Sequence, residues 1–125
     1  MPFAYWCVLV AAVMPFVIVV AAKAGTGDDN HDPRDSVERL SPQRRRAYAA
    51  HLNAFENFPI FAAAVIIAVT QGASLTAVNA LAALYVVLRA AHALLYIADR
   101  PAARSSVFAL ALLVNIAIFV LPAFR

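Results

Sequence analysis

The chain has 125 residues, of which 64% are hydrophobic and 14% charged, and its formal net charge is +3. Soluble domains are roughly 45–50% apolar and about 25% charged, so a soluble chain this small would leave large apolar patches in water. The composition excludes disorder as well as a soluble domain, and the single Cys7 excludes a disulfide framework and any Cys-based zinc site.

Residues Phe3 to Ala22 carry no charge and are long enough to cross a hydrocarbon core of about 30 Å. A cleaved signal peptide is the competing reading, because Ala22-Lys23-Ala24 resembles a processing site. No basic residue precedes the run and it is long for a signal core, so a retained first span is favoured. A polar loop of mixed charge, 24–41, follows, with Asp28, Asp29, Asp32, Asp35 and Glu38 among its arginines. Ser41-Pro42 then reads as a helix start, an N-cap oxygen followed by Pro at the first helical position.

Asn57 to Leu88 holds no charge over 32 residues. A single helix of that length would run about 48 Å, well beyond a bilayer core, so the chain must turn back. Gln71-Gly72-Ala73-Ser74 is the natural break, with Gly ending one helix and Ser74 capping the next. Ser105 to Phe124 supplies a fourth uncharged run. The expected architecture is a single all-α domain, 1–125, an integral membrane four-helix bundle with helices at about 3–23, 42–70, 74–98 and 104–123. Pro15 and Pro59 are expected to kink the helices that contain them, which membrane helices tolerate.

Basic residues in short loops report orientation, so the net charge carries no nucleic-acid signal here. The first connection holds Lys23, Arg34, Arg39, Arg44, Arg45 and Arg46; the third holds Arg100 and Arg104; the second holds none. Loops one and three are therefore expected in the cytoplasm, with both termini outside, Arg125 being the one dissenting charge.

Ionisable groups within a span cost about 2.5 kcal/mol or more and mark candidate sites. The second helix carries His51, Asn53, Glu56 and Asn57. On the third, Tyr85, Arg89, His92 and Tyr96 fall within about 60° of one another on a helical projection. A buried Glu56 needs a cation, and Arg89 is the only Arg of the third span, so the two are expected to pair. Asn79 and Asn115, each alone in its span, read as satisfied interhelical hydrogen-bonding residues. His51 reads as interfacial or bonded to a neighbouring helix. With three His and no helical His/Glu pair at ligand spacing, no catalytic metal is expected. The Arg/His/Tyr stripe points to an anionic, polar ligand.

Arg45-Arg46-Ala47-Tyr48-Ala49-Ala50-His51-Leu52-Asn53-Ala54-Phe55-Glu56-Asn57 resembles the second-helix signature of the MAPEG proteins, membrane-associated proteins in eicosanoid and glutathione metabolism. Arg89-x-x-His92-x-x-x-Tyr96, Arg104-Ser105 and Asp32-Pro33-Arg34-Asp35 are similar to elements of that family, the last to one in bacterial members. The resemblance covers nearly the whole chain. It implies a homotrimer in a bacterial inner membrane, binding glutathione between subunits near the cytoplasmic leaflet and acting on a lipophilic electrophile dissolved in the lipid bilayer. By motif, Asn53 and Glu56 would hold the peptide part of glutathione, with Arg46 in support. Arg89, His92 and Tyr96 would bind its carboxylates or order the pocket, and Arg104 with Ser105 would stand beside the thiol.

Three functions follow as expectations. The first is a glutathione-dependent transferase or peroxidase. The second is a non-catalytic binding or scaffold protein of the same fold, favoured by Ala49 and Phe108 where eukaryotic synthases carry Arg and Tyr. The third is a small four-span exporter, disfavoured because the first span lacks the carboxylate such pumps use.

Overall fold

The computed structural model describes residues 1–26, 31 and 33–124, with Asp35 described by its backbone alone. Asp28, Asp29 and Asp32 of the first loop, and Arg125, lie outside the described residues, as does the side chain of Asp35.

Four helices follow one another, α1 (Phe3–Lys23), α2 (Pro42–Thr70), α3 (Leu75–Ile97) and α4 (Pro101–Val120), with 3-10 turns at Asp35–Arg39 and Leu121–Phe124. Each is long and apolar enough to cross a membrane. Their order makes an up-down-up-down bundle in which α1 packs on α2 and α3 on α4, with α2–α3, α1–α3 and α2–α4 closing the centre.

The packing is that of a bilayer protein. Hydrocarbon tails are as apolar as leucine, so burying large side chains gains little, and close backbone approach matters instead. Ala4, Ala11 and Ala22 of α1, Ala47, Ala50, Ala54, Ala64 and Ala68 of α2, and Ala82 and Ala93 of α3 are buried. Leu9, Val13, Val17, Leu84, Val87, Leu113 and Phe119 face outward. A few larger groups fill the middle, with Phe61 stacked on Tyr85 at 4.1 Å between centroids.

Side chains close the helix ends. Ser41 accepts from the Arg44 amide at 3.4 Å and Ser74 from the Ala77 amide at 3.4 Å, as N-caps do. Asn79 Oδ1 accepts from the Ala4 amide at 2.9 Å, holding the start of α1 against α3. At the other end, Arg44 donates to the carbonyls of Ala22 and Ala24. Arg46 Nε donates to the Ile97 carbonyl at 3.3 Å. These two guanidiniums cap the C-termini of α1 and α3 and neutralise their dipoles.

Two turns share one geometry. After α2, Gly72 (φ 80°) lets the Ala73 amide reach the Ala68 carbonyl at 2.9 Å and its own amide reach Val69 at 3.1 Å. After α3, Asp99 takes the left-handed position (φ 59°), with Arg100 N to Leu95 O at 3.0 Å and Asp99 N to Tyr96 O at 3.2 Å. Both are Schellman closures, the second without the usual glycine. Pro101 at the first helical position starts α4 three residues earlier than the charge pattern suggests, and α4 ends in a 3-10 turn from Leu121. Arg104 therefore lies on the first turn of a helix rather than at its edge. α1 and α2 run unbroken through Pro15 and Pro59.

Candidate functional site

A cavity of about 260 Å³ opens where α2, α3 and α4 meet, at the end carrying loops one and three. Asn53, His92, Tyr96, Arg104, Ser105 and Phe108 line it. Five of the eight residues singled out by motif thus converge on one space.

Asn53 forms its floor and is locked from behind. Its Oδ1 accepts from Arg89 Nη2 at 2.5 Å and from Asn57 Nδ2 at 3.2 Å, and its backbone carbonyl accepts from Asn57 Nδ2 at 2.9 Å. With the oxygen used twice, the carboxamide orientation is set and the Nδ2 donor is left for the cavity. Asn57 escaped attention as a positioning group, although its place one helical turn after Asn53 signals such a pairing.

Arg89 is 5% exposed and lies behind the cavity rather than in its lining. Its guanidinium also sits over Phe108, 5.9 Å from the ring centroid. The expected pairing with Glu56 does not form: Arg89 bonds Asn53, and Glu56 is exposed. The helical projection accounts for this, since Glu56 lies roughly 60° from Asn53 and about 100° from Asn57 around α2. The face that meets α3 presents the two amides, and the carboxylate points out of the protomer.

His92 is 3% exposed, and its Nδ1 has no hydrogen-bond partner among the described residues. Tyr96 meets its ring edge-on at 5.8 Å, and Phe108 lies tilted against it at 5.8 Å. Arg104 lies over the Tyr96 ring, Cζ to centroid 4.4 Å, a cation–π contact that leaves its donors available. Ser105 is exposed beside it. Phe108, read from sequence only as a departure, forms a wall of the cavity. Arg46 is occupied in capping α3 and is not in the lining.

The remaining polar groups at depth separate into two kinds. His51 Nδ1 donates to the Pro15 carbonyl at 2.6 Å and contacts Tyr48 and Phe55, tying α2 to α1. Asn115, expected to be satisfied, is 4% exposed with Oδ1 unpartnered among the described residues.

Chemically, the cavity offers the Asn53 amide donor, the His92 imidazole, the Arg104 guanidinium and two hydroxyls, of Tyr96 and Ser105, walled by aromatic rings. Such a set suits a small anionic, peptide-like ligand. No characterised protein and no solved structure gives a significant match to this chain. The family model described as "MAPEG family" matches residues 3–124, nearly the whole length, and this chain is a multi-pass membrane protein belonging to the MAPEG family.

Proposed function

We propose that this protein is a glutathione-dependent transferase or peroxidase that acts on lipophilic electrophiles within the bilayer. The observation that carries this reading is the convergence of Asn53, His92, Tyr96, Arg104 and Ser105 on one cavity at the basic end of the bundle. Membership of a family of glutathione and eicosanoid metabolism supports it.

In this reading Asn53 Nδ2 meets the peptide backbone or carboxylates of glutathione, the His92 ring backs the pocket, and Arg89 keeps Asn53 in register from behind. Arg104, over the Tyr96 ring, stands beside the sulfur. A thiol is nucleophilic only as thiolate, and a neighbouring guanidinium favours that form. The sulfur lone pair then forms a C–S bond with the electrophile as the leaving group departs with its bonding electrons. With a hydroperoxide, two thiols are oxidised to a disulfide while the peroxide is reduced to an alcohol and water.

Glu56 bears on assembly. Around α2 it shares an exposed face with Leu52, Pro59, Ile60, Ala63 and Ile67. Turning a carboxylate toward lipid costs about 2.5 kcal/mol or more, which supports a second copy covering this face. A homotrimer with glutathione at the subunit boundary, as the family resemblance implies, would bring Glu56 to the edge of a neighbour's cavity. The basic residues of loops one and three support a position for that end of the bundle, and hence the cavity, on the cytoplasmic side of a bacterial inner membrane.

The test is thiol consumption by the purified protein with an aryl halide or a lipid hydroperoxide. Saturable turnover that Arg104→Ala abolishes is expected. A second reading, a non-catalytic protein of this fold, is favoured by Phe108 at the cavity wall, where a phenol could otherwise have donated to the sulfur. Glutathione binding without turnover would select it.

A further inference from the structure

Pro15 has no amide hydrogen, so the Ala11 carbonyl, four residues earlier in α1, lacks the donor that a helix normally supplies. Ala11 and Pro15 lie one turn apart and both are buried, which turns that carbonyl toward the interior of the bundle. His51 does not serve it, because its Nδ1 bonds the Pro15 carbonyl at 2.6 Å. An unsatisfied carbonyl is costly at membrane depth, and membrane helices meet that cost with neighbouring side chains or ordered water.

A narrow hollow of about 10 Å³ lies against this point, lined by Ala11, Met14, Ala54, Phe58, Tyr85 and Arg89. Its size admits one water molecule, which is held stably by about two to four polar partners. Tyr85 is buried with its ring stacked on Phe61, and its hydroxyl bonds no protein group among the described residues. Arg89, one turn further along α3, gives Nη2 to Asn53 and keeps its other N–H donors.

The three groups together select the occupant. An anion would suit Arg89 but meet the lone pairs of the carbonyl. A cation would suit the carbonyl but meet the guanidinium. A hydrocarbon group would satisfy none of them. A small neutral molecule that both donates and accepts fits all three. We infer that one water molecule is bound in this hollow, donating to the Ala11 carbonyl and to Tyr85 Oη and accepting from Arg89. It ties α1 to α3 where the proline interrupts the bonding of α1, and it holds the far side of the guanidinium whose near side fixes Asn53. The hollow shares no lining residue with the polar cavity, so the inference stands apart from the glutathione reading.

Two measurements test it. Crystals of the wild type, grown from a lipid mesophase with bromide present, should show one density peak within hydrogen-bond reach of the Ala11 carbonyl, Tyr85 Oη and Arg89. That peak should carry no bromide anomalous signal. In lipid bilayers, solid-state NMR should show magnetisation passing from water to the buried Ala11 methyl group. Pro15→Ala returns an amide donor to the Ala11 carbonyl, and Tyr85→Phe removes the hydroxyl. Each alone leaves two partners and should keep the water signal at Ala11. The double variant leaves Arg89 alone and should lose that signal at unchanged oligomeric mass. A wild-type hollow without density, with Tyr85 Oη bonded directly to the Ala11 carbonyl and no transfer from water, overturns the inference. So does a bromide peak in the hollow, which would make the site one for an anion. A double variant that keeps the water signal overturns it as well, because other groups then hold the water.

Discussion

Glu56 and Arg89 lie at the same depth, each fourteen residues from the turn that joins α2 to α3, about 21 Å along the helix. Their surroundings differ completely. Arg89 is buried against Asn53 and Phe108 inside one protomer, whereas Glu56 faces outward among Leu52, Ile60 and Ala63. Charge at membrane depth must be met somewhere. The inner seam of α2 and α3 meets it within the chain, and on the proposed reading a neighbouring copy meets it at the outer face of α2.

Breaking the inner seam has the largest expected effect. Asn53→Ala removes the amide acceptor from a buried guanidinium, a loss of about 1–3 kcal/mol, which thermal unfolding in detergent should register as a drop in midpoint. Arg104→Ala leaves that seam alone and removes the cation nearest the proposed thiol. Turnover with an aryl halide should fall at least ~100-fold, in line with loss of a preorganised charge-stabilising donor, while the unfolding midpoint stays put.

Glu56→Gln addresses the outer face. The protomer should unfold at an unchanged temperature, yet the oligomer should dissociate at a lower protein dilution or detergent ratio, read by light scattering. A collapse of protomer stability instead would mean that Glu56 is satisfied internally. The smallest effect is expected at the turn that sets α4 in place: Asp99→Gly relieves a left-handed residue that carries a side chain and should stabilise by about 0.5–1 kcal/mol.

The sequence made the scaffold legible because bilayer physics is coarse. Four uncharged stretches, Gly72 in a polar break, and Ser41 and Ser74 before apolar runs are signals that depend on length and local chemistry alone. The residues of the cavity were legible too, because Arg89, His92 and Tyr96 repeat at helical spacing and Asn53 lies in a recognisable motif. Partnership was harder. Glu56 and Arg89 are the obvious opposite charges, but a difference of one residue rotates a side chain by about 100°, and only the packing of α2 on α3 decides that Asn53 faces inward. Likewise, nothing local distinguishes Asn79, which caps α1, from Asn115, which finds no partner. Asp99 concealed the turn after α3, since glycine is the residue that usually marks such a closure.

The most direct test of glutathione as the ligand is isothermal calorimetry of glutathione into the detergent-purified oligomer. Saturable heat with at most one site per protomer, strongly reduced by Arg104→Ala in a protein of unchanged mass, is the predicted result. Intact oligomer that takes up no glutathione would contradict it.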